Sequence, residues 1–186
     1  PILFKPKSKN TPKLVQNLLI LGGSLGAKKI NETIATIKTP LNIWHQTGAK
    51  HIEEVKDMYA KDIHTSLKIE EFIEDMAEAC AWADIVICRS GAMTVSELIA
   101  TNTLAILVPF PHAVDNHQKI NAQYLSKNGA GILIEESIFN AELIDKEILA
   151  LNSEKLQEMT KNLELLSAPN PEMIIDDYLF GYSQVD

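Results

Sequence analysis

Apolar residues are not spread evenly along this chain; they fall in short runs separated by longer stretches of helical spacing. The runs cover residues 16–21, 41–46, 66–69, 85–88, 104–108 and 131–134. Each is four to six residues long and apolar in block instead of alternating, which predicts strands covered on both faces of a sheet. Between them, residues 27–37, 50–59, 75–82, the stretch from 92 onward and 115–127 read as helices. Three more helices are expected at 141–151, 153–166 and 171–180, the last opening on Pro171, a residue favoured at the first helical position. Strands alternating with helices call for parallel pairing through right-handed crossovers. The prediction is a doubly wound, Rossmann-like α/β domain with a six-stranded parallel sheet, binding ligands at the C-terminal ends of its strands. Asn128-Gly129 is expected to close the helix that ends near Lys127, and Asp115 to cap its start.

The turns at those strand ends carry the chemistry. Residues 83–97 run from a buried strand through Arg89-Ser90-Gly91 into a helix beginning near Ala92. Such a turn aims free backbone N–H groups, and the positive end of a helix dipole, at whatever lies above the sheet. Met93 and Thr94 fall on the first turn of this helix, and Glu97 follows at a distance suited to a ribose beside a phosphate; the plain alternative is an acid favoured near a helix N-terminus. Gly22-Gly23-Ser24-Leu25-Gly26 is a second strand-to-helix turn, where glycines let the backbone approach an anion and Ser24 adds a hydroxyl. It is either a phosphate-binding turn or a tight connection without a ligand. It is not a P-loop, because Ala27-Lys28-Lys29 follows in place of Gly-Lys-Ser/Thr. Nor does His45-Gln46-Thr47 supply the acid that a dinucleotide site needs after its second strand.

Phe72-Ile73 closes the third strand, where main-chain groups can read a base edge while Phe72 or Met76 packs on its face; ordinary core packing of Phe72, Ile73 and Met76 is the competing reading. Residues 109–121 crowd donors and acceptors around a helix start, with His117, Gln118 and Asn121 on its first turns. Amides and an imidazole suit sugar hydroxyls, as they also suit a solvated helix start.

Composition narrows the field. In 186 residues, 46% hydrophobic and 23% charged content describes one globular domain. A net charge of -8 argues against a nucleic-acid partner and against charge-driven contact with an anionic membrane. No apolar run reaches the roughly 18–20 residues of a membrane span, and residues 1–15 lack a signal-peptide pattern. Those residues are basic and carry Pro1, Pro6 and Pro12, so they read as a lead-in linker following something longer. Cys80 and Cys88 are expected to be reduced core residues, in keeping with an intracellular setting. No zinc spacing occurs, His112 and His117 being five apart, and no Asp-x-Asp motif is present to hold Mg²⁺ on a diphosphate. No cofactor is expected.

Together these motifs resemble the C-terminal, donor-binding domain of the MurG family, UDP-N-acetylglucosamine transferases that convert lipid I to lipid II in peptidoglycan synthesis. The resemblance spans residues 17–151. It rests on Gly22 to Ala27, His45-Gln46-Thr47-Gly48, Phe72-Ile73-Glu74-Asp75-Met76, residues 83–97 and residues 109–122. It implies the C-terminal half of a two-domain GT-B fold and an inverting, metal-independent transfer. It further implies that Gly23 and Ser24 border the diphosphate, and that the Ile73 main chain reads uracil with Phe72 beside it. The amides of Met93 and Thr94, in the turn begun by Arg89, Ser90 and Gly91, would hold the phosphates, and Glu97 the ribose. Gln118, with His117 and Asn121, would hold the GlcNAc hydroxyls. Leu3 stands where the family usually carries an Arg, and His117 where some relatives carry Gln. No catalytic residue is expected in this chain. The acceptor site for lipid I, the general base and the membrane-binding patch belong in the family to an N-terminal domain, which implies a soluble fragment of a peripheral protein on the cytoplasmic face of the bacterial inner membrane. The expected division is a linker at 1–15, a UDP-sugar-binding unit at 16–168, and a helix within 169–186 that docks on the other domain. Another UDP-sugar enzyme on the same scaffold, such as a 2-epimerase, and a non-catalytic nucleotide-binding module are the alternatives.

Overall fold

The computed structural model describes residues 13–22, 27–59, 63–113 and 116–167. Residues 1–12, Gly23 and Ser24 of the glycine-rich turn, Asp115 and the helix expected at 171–180 lie outside them. Six strands form one parallel sheet: β1 (Asn17–Leu21), β2 (Asn42–Gln46), β3 (Ser66–Glu70), β4 (Ile85–Cys88), β5 (Ala105–Leu107) and β6 (Ile132–Leu133). Their spatial order is β3-β2-β1-β4-β5-β6. The crossovers contain α1 (Lys28–Ile34), α2 (Ile52–Met58), α3 (Met76–Trp82), α4 (Ala92–Ala100) and α5 (His117–Lys127). A 3₁₀ turn at Glu136–Ile138 leads to α6 (Ala141–Ala150) and α7 (Ser153–Leu166).

The block-apolar runs behave as their pattern demands. Leu18, Leu19 and Ile20 in β1 and all of β4 are buried, because helices cover both faces and neither parity of side chain meets water. β3 departs from the pattern. It is an edge strand with Ser66 and Lys68 exposed, and Lys68 lies 3.7 Å over the Trp44 ring while pairing with Glu70 at 3.0 Å. A lysine on an edge strand discourages further pairing, and its stem still covers apolar surface. At the N-terminal ends of the strands a side-chain ladder closes the sheet. Asp84 accepts from the Gln16 and Asn17 amides at 2.9 and 2.8 Å, Asn42 Nδ2 donates to Asn17 Oδ1, and Ser66 Oγ donates to Asn42 Oδ1. Val15 is buried with the core, and Leu14 bridges antiparallel to Asn152.

Local capping explains most element boundaries. Asp75, Asn140 and Asn152 each accept the N–H three residues on, which fixes the starts of α3, α6 and α7. α5 ends as expected: Gly129 has φ +65°, with Gly129 N–H on Ser126 O and Ala130 N–H on Leu125 O. Its start differs, since the position expected for Asp115 is taken by Asn116, which is left-handed (φ 56°) and gives no side-chain cap. Asparagine tolerates that conformation better than most residues.

Candidate functional site

The strand order reverses direction between β1 and β4, so the crevice above their C-terminal ends is the expected ligand position. Going across the sheet, the segments at that edge are 71–73 after β3, 47–48 after β2, Gly22 after β1, 89–91 after β4, and 108–113 after β5. In this order the candidate base contact stands at one end, Gly22 and the Arg89–Gly91 turn, where the two candidate phosphate turns begin, in the middle, and the candidate sugar contact beyond them.

On the β1 side, Gly22 donates to Gln46 O at 2.9 Å, and a Cβ there would stand 2.9 Å from that same oxygen and 3.0 Å from Asn31 Oδ1. Only glycine fits. Beneath it runs a buried polar chain. His45 Nε2 meets Asn31 Oδ1 at 3.1 Å, His45 Nδ1 meets the Tyr59 hydroxyl at 3.2 Å, and Asn31 Nδ2 donates to Thr47 O at 3.1 Å. With its Nδ2 engaged in this way, Asn31 presents an oxygen to Nε2, so Nε2 carries the proton and Nδ1 accepts from Tyr59. Burial pushes the His45 pKa down from 6.5 to about 3, so the ring is neutral. Gln46 does double service: its carbonyl takes the Gly22 N–H and its Oε1 takes the Ile73 N–H at 3.2 Å. Sequence alone assigns no contact to this amide or to the Asn31–His45–Tyr59 chain, although His45 and Gln46 stand in the motif His45-Gln46-Thr47-Gly48. The available signal was polar side chains at buried registers, His45 within a strand and Asn31 on the inner face of α1 beside Ile30.

Beyond β3, Phe72 is 61% exposed and Ile73 only 2%. Core packing therefore accounts for Ile73 and, in part, for Met76, but not for Phe72.

On the β4 side, Gly91 precedes α4 with no side chain capping the helix, and a Cβ there would meet only Thr94 Oγ1 at 3.9 Å. Val95, Leu98 and Ile99 face the core. Met93 (80% exposed) and Glu97, four residues apart, lie away from the core, with Thr94, three residues before Glu97, beside them. The Glu97 carboxylate makes no hydrogen bond or ion pair among the described residues. Below it, burial drives the Cys88 thiol strongly upward, with Cys80 and Glu97 adding to the effect, so this free cysteine is inert.

The remaining candidates grip one another. Ser90 is fully buried and its hydroxyl donates to Gln118 O at 2.7 Å, while Asn121 Nδ2 donates to Ser90 O at 2.9 Å. Gln118 Oε1 accepts from the Phe110 amide at 2.9 Å. Arg89 donates to the carbonyls of Val108 and Pro109 and pairs with Glu136. His117 is exposed at the first position of α5. Among the described residues, no three His, Cys, Asp or Glu side chains come together as a metal site.

Residues 17–173 match the model of the glycosyltransferase family 28 C-terminal domain. The chain belongs to this family. Among family 28 relatives, a protein of Vesicomyosocius okutanii is 48% identical over 96% of this chain and 52% of its own length. One from Methylococcus capsulatus is 43% identical over 86% of this chain and 45% of its own. Both are named UDP-N-acetylglucosamine–N-acetylmuramyl-(pentapeptide) pyrophosphoryl-undecaprenol N-acetylglucosamine transferase. The chain thus spans about half the length of the curated relatives it matches. The crystal structure of Acinetobacter baumannii MurG superposes with a TM-score of 0.78 at 34% identity, covering 94% of this chain and 55% of that one. The calicheamicin glycosyltransferase CalG4, at 16% identity and a TM-score of 0.60 over 99% of this chain and 48% of its own, shares the fold alone. The expected fold, the doubly wound C-terminal half of a GT-B glycosyltransferase, is the one found, and the resemblance to MurG stands.

Proposed function

We propose that this chain binds UDP-N-acetylglucosamine along the C-terminal edge of its sheet and is the donor-binding half of an inverting, metal-independent transferase that passes GlcNAc to lipid I, giving lipid II in peptidoglycan synthesis. The observation that carries this reading is Glu97, a carboxylate without a partner among the described residues, on the side of α4 away from the core with Met93 and Thr94 beside it and within two turns of an uncapped helix start. A ribose diol supplies two donors to one carboxylate. The α4 amides and dipole receive the diphosphate and stabilise the charge that grows on it as UDP leaves. Gly23 and Ser24 border the diphosphate from the other wall. Uracil lies against Phe72 and Met76, and because Gln46 holds the Ile73 N–H, the Ile73 carbonyl is the group left to accept from the base. Gln118 and His117 meet the sugar, with Asn121 supporting them from behind through Ser90.

The names of the 43–48% identical relatives support the donor and the acceptor. Lipid I, the group that activates its hydroxyl and contact with the cytoplasmic face of the inner membrane are assigned to the part of those relatives that this chain does not span. No helix among the described residues is long and apolar enough to cross a membrane. Residues 16–168 form the binding unit in this reading, and the segment 169–186 packs against the other half. By itself the chain binds donor and turns over little or none. Titration calorimetry tests this. UDP and UDP-GlcNAc should bind, and Glu97→Ala should weaken both alike; absence of any heat at millimolar nucleotide would sink the reading. UDP-GalNAc and UDP-glucose binding as well as UDP-GlcNAc would point to another UDP-sugar enzyme on the same scaffold.

A further inference from the structure

A cation in the turn after β4 invites a phosphate-binding role for Arg89, but its surroundings point elsewhere. Nη1 donates to Val108 O at 3.1 Å and Pro109 O at 3.3 Å, and Nη2 meets the Glu136 carboxylate. The guanidinium carbon stands 5.3 Å from the centre of the Phe110 ring. Glu136 offsets the charge at contact distance, and the Arg89 side chain is only 19% exposed. Every one of these partners belongs to the segment after β5 or to the 3₁₀ turn after β6, and none to the crevice between β1 and β4.

That same segment is gripped from the other side. Phe110 N–H goes to Gln118 Oε1, the Gln118 carbonyl receives the Ser90 hydroxyl, and Ser90 is the next residue after Arg89. The contacts close a loop: Arg89 to residues 108–110, Phe110 to Gln118, Gln118 to Ser90. A planar guanidinium suits this position because one rigid fork holds two carbonyls and a carboxylate in a fixed geometry, where an ammonium is a compact point charge on a flexible stem.

We propose that Arg89, paired with Glu136, is a positioning residue that sets the loop after β5 and the start of α5 for the sugar end of the donor, and is not a ligand of the diphosphate. This rests on the donor-site reading above. The test is titration of the chain and of Glu136→Gln, Arg89→Gln and the double variant with UDP and with UDP-GlcNAc, each variant first checked for a cooperative melt. Glu136→Gln removes the charge of a charge-assisted bond, so UDP-GlcNAc affinity should fall about tenfold while UDP stays within about twofold. The double variant should lose no more than the worse single one, as expected of residues acting as one unit. A general loosening would weaken both ligands together and would overturn the inference, as would additive losses. So would an Arg89→Gln that costs UDP as much as UDP-GlcNAc while Glu136→Gln changes neither, the signature of a direct phosphate contact. If Arg89→Gln fails to fold, the ratio measured for Glu136→Gln decides alone. A wild-type chain that binds neither nucleotide takes down the donor-site reading and this inference with it. A wild-type chain that binds both, with Glu136→Gln changing neither, takes down this inference only.

Discussion

His45 allows a sharp test of the buried polar chain under the β1 turn. Its ring has no accessible surface and its pKa falls from 6.5 to about 3 through burial. The folded chain keeps it neutral down to about pH 3, whereas the unfolded chain protonates it near 6.5, so unfolding takes up a proton anywhere between those values. The stability held by neutral His45 is therefore full above pH 6.5 and declines as the pH falls toward 3. One pH unit is worth about 1.4 kcal/mol, so about 2 kcal/mol is lost by pH 5 and about 5 kcal/mol over the whole window. His45→Gln supplies the comparison, because an amide of similar reach does not titrate. The variant loses a fixed amount at pH 7.5, on the order of 1–3 kcal/mol for imperfect partners to Asn31 and Tyr59. Carboxylates that titrate in both chains cancel in the difference. Urea unfolding followed by fluorescence of Trp44 and Trp82 at pH 7.5 and 5.0 should show the wild-type advantage shrinking by about 2 kcal/mol. An equal advantage at both pH values would refute the claim that His45 is buried and neutral.

Three further outcomes follow from particular contacts. Gly22→Ala forces a Cβ to 2.9 Å from a backbone oxygen that cannot swing away, so the urea midpoint should drop by the equivalent of about 1–3 kcal/mol; an unchanged midpoint would contradict the geometry. Asp84→Ala releases the Gln16 and Asn17 amides, with an expected loss on the order of 1–3 kcal/mol and a melting temperature lower by several degrees in calorimetry. Gln118→Ala should weaken UDP-GlcNAc while sparing UDP, and an equal loss for UDP in titration would remove Gln118 from the sugar end.

Much of the architecture is legible because it depends on near neighbours. The apolar blocks of β1 and β4, the helical spacing of α4 with Val95, Leu98 and Ile99 inward, and Gly129 after α5 each follow from residues within a few positions of one another. The turn at Ser90-Gly91 and the following helix were readable for the same reason, and so was the idea of an anion site there. What could not be read is who meets whom. Arg89 looks like a free cation in sequence, yet Glu136, 47 positions away, neutralises it. Ser90, Gln118 and Asn121 each look available to a ligand, and the fold first joins them to one another.

The periodicity of the chain decided that there would be six parallel strands, with turns rich in glycine and hydrogen-bonding side chains at one edge. Only the order β3-β2-β1-β4-β5-β6 decided which loops became neighbours, since pairing β2 with both β1 and β3 puts Gln46 between Gly22 and Ile73. Capping and burial patterns are local energies that a short window records. Side-chain partnership across the sheet edge is set by packing of elements far apart in the chain, and no window contains it.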